Sequence, residues 1–131
     1  MKVAIIGSRS ITAIDLDALV PPEATEILSG GARGVDALAR AWAEAHGLPC
    51  REFLPDYRLY GRGAPLKRNA DIVREADLVI AIWDGASRGT AFTISECSRT
   101  GTPCRIAGIQ KTADPRRSPP LGYEDPITPG S

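Results

Sequence analysis

Asp77-Leu78-Val79-Ile80-Ala81-Ile82-Trp83 is a nearly unbroken apolar run of strand length, the composition required of a parallel strand that is covered on both faces. Lys2-Val3-Ala4-Ile5-Ile6 reads the same way, so these two belong in the middle of a sheet. Outward from them, Thr25 to Leu28 is a shorter strand. Cys50 to Leu54 and Cys104 to Ile109 are broken by charge, which suits edges. Helical-period segments separate the strands. A helix is expected over Gly34 to His46, with Val35, Leu38, Trp42 and Ala45 on one stripe and Asp36, Arg40 and Glu44 on another; Gly47 and Leu48-Pro49 stop it. A second follows Pro65 and sets Leu66, Ala70 and Val73 against the sheet. A third starts near Gly89-Thr90 and ends at Gly101, and a short one near Ile14 to Val20 is halted by Pro21-Pro22. The alternation predicts an α/β protein with a mostly parallel five-stranded sheet, and the polarity ranking of the strands gives the order 3-2-1-4-5.

The chain of 131 residues is one domain's worth, with 43% hydrophobic and 24% charged residues, and no apolar run is long enough to span a bilayer. Lys plus Arg and Asp plus Glu are both 16. Net charge therefore supplies no long-range pull toward nucleic acid or an anionic membrane, and anion binding must come from local placement. The start of the chain runs directly into a strand with no signal-peptide pattern. Cys50, Cys97 and Cys104 are odd in number and form no C-x-x-C pair, which argues against a disulfide framework or a metal site. The expectation is a cytoplasmic protein. Five of the 11 prolines fall in residues 110–131, so a globular domain over 1–109 and an extended or disordered tail over 110–131 are expected.

In an open parallel sheet the ligand crevice lies outside the carboxyl ends of the strands, where the connections diverge, here between strands 1 and 4. The loops at that edge are Gly7-Ser8-Arg9-Ser10, Ser29-Gly30-Gly31-Ala32-Arg33-Gly34, the long Pro55 to Pro65 connection and Asp84-Gly85-Ala86-Ser87-Arg88-Gly89-Thr90. Glycine lets backbone N–H groups approach a ligand, and a helix beginning beyond the loop aims further N–H groups at the same point, which favours phosphate. Helix N-termini ordinarily carry acids. Yet Arg9, Arg33, Arg68 and Arg88 all fall at strand-to-helix joints, and Lys67 stands beside Arg68. Repeated departure from a local rule at one end of a sheet is what an anion site produces. Singly, each arginine reads equally well as a solvated surface group or a partner for a carboxylate such as Asp36 or Asp84. Asp36 suits a first helical turn and also a ribose. Trp83 suits the core and also a stacked base. Tyr57 and Tyr60 occupy a long connection that reads as a lid or as plain loop packing, and His46 suits a helix C-terminus.

Gly7-Ser8-Arg9, Ser29 to Ala39, Arg68-Asn69, Ala76-Asp77, Trp83-Asp84-Gly85 and Arg88-Gly89-Thr90 together resemble the SLOG superfamily. Its members include the LOG phosphoribohydrolases, the DNA-processing protein DprA and the YspA- and YpsA-like proteins. The likeness runs from Lys2 to about Ile109. It is nearest to the YspA-type branch, with Arg-Asn ahead of the fourth strand and a Trp-Asp-Gly-x-Ser-x-Gly-Thr loop after it. The resemblance implies a Rossmann-like three-layer sandwich whose ligand is a nucleotide or nucleotide derivative, with no certain cofactor. The ligand-binding positions it implies, with those of the loops above, are Gly7, Ser8, Arg9, Gly30, Gly31, Arg33, Gly34, Asp36, Arg68, Asn69, Trp83, Asp84, Gly85, Ser87, Arg88, Gly89 and Thr90.

LOG enzymes cleave the N-glycosidic bond of nucleoside 5′-monophosphates, and Arg68 matches the position of their catalytic arginine. Here the sequence departs from their glycine-rich loop. Trp83 and Asp84 replace Pro-Gly, the loop is longer, and Thr93 stands where they carry glutamate. Glycosidic cleavage builds positive charge on the ribose, so a carboxylate is wanted nearby. Glu96, one turn beyond Thr93, and Asp84 are the substitutes at hand. Three readings remain: a nucleotide-binding or sensing protein, a phosphoribohydrolase, and a DprA-like binder of single-stranded DNA. Zero net charge and 5% aromatic residues argue against the last. The resemblance also allows a homodimer through surface helices.

Overall fold

The computed structural model describes residues 1–11, 13–31 and 34–108. Arg33, Ile109 and the tail over 110–131 lie outside the described residues. Five strands, β1 (Lys2–Gly7), β2 (Glu26–Ser29), β3 (Cys50–Glu52), β4 (Leu78–Trp83) and β5 (Cys104–Gly108), form one sheet in the order β3-β2-β1-β4-β5, with every pairing parallel. β1 and β4 are central, in register at Ala4–Val79 and Gly7–Ile82. The helices are α1 (Val35–Ala45), α2 (Tyr57–Tyr60), α3 (Ala64–Glu75) and α4 (Arg88–Thr100). Apolar residues that alternate along the central strands feed two cores, because successive side chains point to opposite faces. Val3, Ile5, Ile80 and Ile82 pack with Val35, Ala39 and Ala43 of α1 and with Leu16. Ala4, Ile6, Val79 and Ala81 pack with Ile72 and Val73 of α3 and Cys97 of α4. Helix, sheet and helix therefore make three layers, the Rossmann-like α/β arrangement.

The structure corrects several local expectations. The segment between β1 and β2 is a single 3-10 turn, Leu16–Ala18, with Asp15 as its cap. On α1, Ala39 and Ala43 lie flush on the sheet, Leu38 and Trp42 are only partly buried, and Ala45 is exposed. Alanine on the contacting face lets the helix come close, which rotates the stripe away from its bulkier residues. Arg40 pairs with Glu52 at 2.7 Å. α3 begins at Ala64, and Leu66 is exposed while Ile72 and Val73 form its buried face. The Pro55 to Pro65 connection carries the short helix α2 and a 3-10 turn at Gly61–Gly63. His46 stacks on Trp42 with ring centroids 3.9 Å apart and lies 3.3 Å from Asp17. Among the described residues no helix is long and apolar enough to cross a membrane.

Candidate functional site

The switch point between β1 and β4 opens into a cavity of about 540 Å³, lined by Ile6, Gly7, Arg9, Asp36, Tyr57, Pro65, Arg68, Asn69, Ser87, Arg88, Gly89 and Thr90. That volume is in the range of small-molecule sites. Three segments far apart in sequence meet there because β1, β4 and the start of α3 share one end of the sheet. Close approach is enforced at two glycines. A Cβ on Gly7 would lie 2.5 Å from Val35 Cγ2 and 2.8 Å from the Ile82 carbonyl. Gly34 has φ +68°, and its Cβ would lie 2.6 Å from the Arg9 carbonyl. The first turn of α1 thus sits directly against the loop that carries Arg9.

Among the described residues this loop leads to a single 3-10 turn, Leu16–Ala18, rather than an α-helix, and it is anchored to the end of β4. The Ser8 N–H donates to the Ile82 carbonyl at 3.1 Å, and Ser8 Oγ accepts from the Asp84 N–H at 3.2 Å. Asp84 organises the second loop. Its Oδ1 accepts from the N–H groups of Ala86 and Ser87 at 2.9 and 2.8 Å, and its Oδ2 accepts from Ser10 Oγ at 3.0 Å. Those backbone donors hold its carboxyl down to about 2. Trp83 Nε1 donates to the Ser87 carbonyl at 3.0 Å, and Gly85 makes the turn at φ +86°. The result presents the N-terminus of α4 to the cavity, with Arg88 as its first residue and no acid in its first turn. Its unpaired N–H groups and partial positive charge favour an anion there.

α3 contributes from the other side. Arg68 Nη1 donates to the carbonyls of Gly30 at 2.5 Å and Phe53 at 3.2 Å, and Nε donates to that of Pro65 at 3.3 Å. Partial burial pulls the Arg68 pKa down, opposed by Asp36. A Cβ on Gly30 would lie 2.7 Å from Arg68 Nη1 and 3.0 Å from Asp36 Oδ2, so both head groups converge over that glycine. Buried Asn69 donates from Nδ2 to the Gly89 carbonyl at 3.4 Å, which Thr93 Oγ1 also reaches at 3.0 Å. Arg9 and Arg88 are exposed and form no ion pair or side-chain hydrogen bond with any described residue.

Gly7, Arg9, Asp36, Arg68, Asn69, Ser87, Arg88, Gly89 and Thr90 are therefore brought together. Ser8, Gly30, Gly34, Trp83, Asp84 and Gly85 are not in the lining; the bonds and close approaches above make them supports of it, and Gly31, also outside the lining, turns at φ +76° with its N–H donating to Ser29 Oγ at 3.2 Å. Glu96 is elsewhere. It lies six residues past Thr90, about 9 Å down the helix, where it is hydrogen-bonded to Arg99, which lowers its pKa. Asp36 is the one carboxylate among the described lining residues. Sequence reasoning did not assign Ile6, Tyr57 or Pro65 to the lining. Tyr57 carried a signal as an aromatic in the long connection, whereas Ile6 carried none beyond being a strand residue. Among the described residues no group of three or more His, Cys, Asp and Glu could hold a metal ion.

Comparison with known proteins gives two matches. The profile of the YspA, cpYpsA-related SLOG family matches residues 1–60. That stretch includes the Gly7 loop, the Gly30 loop and Asp36, and ends before Arg68 and the loop ahead of α4. The chain is also 32% identical over 88 residues to the Gene 61 protein of Mycobacterium phage D29, covering 63% of this chain and 70% of that protein. No solved structure matches it.

Proposed function

Because this chain belongs to the YspA, cpYpsA-related SLOG family, we propose that it binds a nucleotide or nucleotide derivative at the β1–β4 switch point. The observation that carries this reading is the joining of Arg9, Arg88 and the acid-free N-terminus of α4 around one cavity. A phosphate seated there takes charge-assisted hydrogen bonds from two guanidinium groups together with backbone N–H donors of the first helical turn. Asp36 and Asn69 offer polar partners to a sugar, and Tyr57 and Pro65 offer apolar surface to a base. The test is a thermal-shift and calorimetric panel of AMP, GMP, CMP, ADP-ribose and NAD. A ligand at about 100 times its Kd adds about 2.7 kcal/mol to stability, and Arg88→Ala should remove that gain while leaving the unliganded Tm in place. Absence of a shift with every member of the panel refutes the reading.

The enzyme reading, a phosphoribohydrolase, has one observation in its favour: buried Asp36 shares the cavity with Arg68. In that case Asp36 is the carboxylate that faces charge developing on the ribose, in place of Glu96 and Asp84. Release of free base from a nucleoside monophosphate, abolished in Asp36→Asn and untouched in Glu96→Gln, is its expected signature.

A further inference from the structure

Beside the cavity, residues 56–63 are exposed without a break. This segment, Asp56-Tyr57-Arg58-Leu59-Tyr60-Gly61-Arg62-Gly63, presents two aromatic rings where water-facing residues are normally polar; Tyr57 is 60% and Tyr60 44% exposed. Leu54, Leu59 and Leu66 are exposed with them, and apolar groups gathered in this way mark a binding surface. The segment is also basic. Asp56 is the acid between residues 56 and 68, against Arg58, Arg62, Lys67 and Arg68. Arg58 and Arg62 form no ion pair or side-chain hydrogen bond with any described residue, whereas the Lys67 ammonium is paired with Asp71 at 2.8 Å and lies over the Tyr60 ring, 5.5 Å from its centroid.

Resting on the nucleotide reading above, we propose that this segment is a second subsite and that the preferred ligand is a dinucleotide, whose first unit fills the cavity and whose second base stacks on Tyr60. Tyr57 belongs to both regions, since it lines the cavity and opens α2. Tyr57 and Tyr60 stand at i and i+3, neighbouring positions on a helical surface about 5–6 Å apart at Cβ, a separation that one phosphodiester step bridges. Arginines beside exposed aromatics combine the two forces by which single-stranded nucleotides are held: neutralisation of phosphate and sequence-tolerant stacking. Charge also selects among occupants. A second copy of the chain docking symmetrically here would bring like charges, Arg58 and Arg62, into one interface, whereas an extra phosphodiester is attracted to them.

The test is calorimetric titration of the whole chain with AMP and with the 5′-phosphorylated diadenylate pApA. pApA should bind about tenfold tighter or more, the gain that one base stacked on an aromatic ring supplies. Tyr60→Ala lies outside the cavity lining and should bring pApA back to the affinity of AMP while AMP itself is unaffected. Arg58→Gln with Arg62→Gln should lower the pApA affinity and flatten its salt dependence. AMP and pApA binding equally well to the wild-type chain overturns the second subsite and leaves the nucleotide reading standing. Binding of neither overturns the second subsite, and the wider panel above then decides the nucleotide reading. A dimer in sedimentation that Tyr60→Ala splits, with no preference for pApA, gives this surface to a second copy and overturns the proposal.

Discussion

Arg68→Ala should destabilise the ligand-free protein, although the residue was singled out as a ligand-binding group. Its guanidinium spans from α3 to two other segments: Nη1 donates to Gly30 after β2 and to Phe53 after β3, while Nε ties back to Pro65. A hydrogen bond from a charged donor contributes about 1.5–3 kcal/mol net when its partner is shielded from water. Arg68 is half-buried, and two of its contacts are long at 3.2 and 3.3 Å. Water takes over part of each when the side chain is removed. We therefore count the Gly30 bond nearly in full and the other two as fractions, which gives about 2–3 kcal/mol. For a domain of this size that is a fall in Tm of about 10 °C.

Urea unfolding of the unliganded protein at neutral pH measures the loss directly, with an unchanged m-value showing that the denatured state is the same. Arg68→Met retains the aliphatic stem and separates packing from hydrogen bonding. Arg68→Lys retains the charge but has no planar fork to reach carbonyls on both sides, so it should recover only part of the loss. If Arg68→Ala stays within about 0.5 kcal/mol of wild type, as ordinary surface substitutions do, the strut does not exist. Its effect on ligand affinity would then be that of a contact alone.

Gly34→Ala forces a methyl group onto the Arg9 backbone at φ +68° and should cost about 2–3 kcal/mol by denaturation, with nucleotide affinity falling as the Arg9 loop shifts. Asp84 has its folded pKa depressed from 3.8 to about 2. Its contribution to stability is therefore complete above the unfolded value and is lost as pH falls through that interval. In Asp84→Asn the acid limb of the stability curve between those pH values should flatten, and an unaltered limb would contradict the hydrogen-bonded loop. Glu96→Gln should leave ligand affinity unchanged and release Arg99, whereas Asp36→Asn should alter affinity for any ribose-bearing ligand; calorimetry of the two variants side by side decides which carboxylate belongs to the site.

Strand order was legible because burial on two faces and burial on one impose different residue patterns, and Ile80 between Val79 and Ala81 has no polar alternative. Helix facing was less so. The stripe Val35, Leu38, Trp42 and Ala45 holds on α1 only at Val35, while the sheet takes Ala39 and Ala43 beside it and leaves Trp42 partly exposed, donating its N–H to Asp17 at 2.8 Å. The loops that form the site could be found from glycine, serine and arginine, since those residues act locally. Their partners could not. The Arg68 bonds reach 38 residues back to Gly30 and 15 back to Phe53, and nothing near Arg68 in sequence encodes that. Asp84 illustrates the opposite limit: an acid in a glycine- and serine-containing loop reads as chemistry until its oxygens are seen to accept from Ala86, Ser87 and Ser10.

A net charge of zero supplies no long-range field and leaves anion attraction to local placement, and the ion pairs among the described residues mark where charge is cancelled and where it is not. Away from the cavity, four arginines are paired with carboxylates: Arg40 with Glu52, Arg51 with Glu26 and Glu75, Arg74 with Asp71 and Arg99 with Glu96. Exposed pairs of this kind add little to stability, about 0–1 kcal/mol each, so their consequence is chiefly where charge is cancelled. Arg9 and Arg88 at the cavity, with Arg58 and Arg62 beside it, have no such carboxylate among the described residues. At the carboxyl end of β1 and β4 the carboxylates Asp36 and Asp84 stand with Arg9, Arg68 and Arg88, and Arg9 and Arg88 carry their charge without an ion pair to any described residue. There the unpaired N–H groups of α4 add to it within about one Debye length at physiological salt. Because Arg9 and Arg88 are exposed, that attraction is screened as salt rises, while the bonds of Arg68 to backbone carbonyls are held at contact distance and are not.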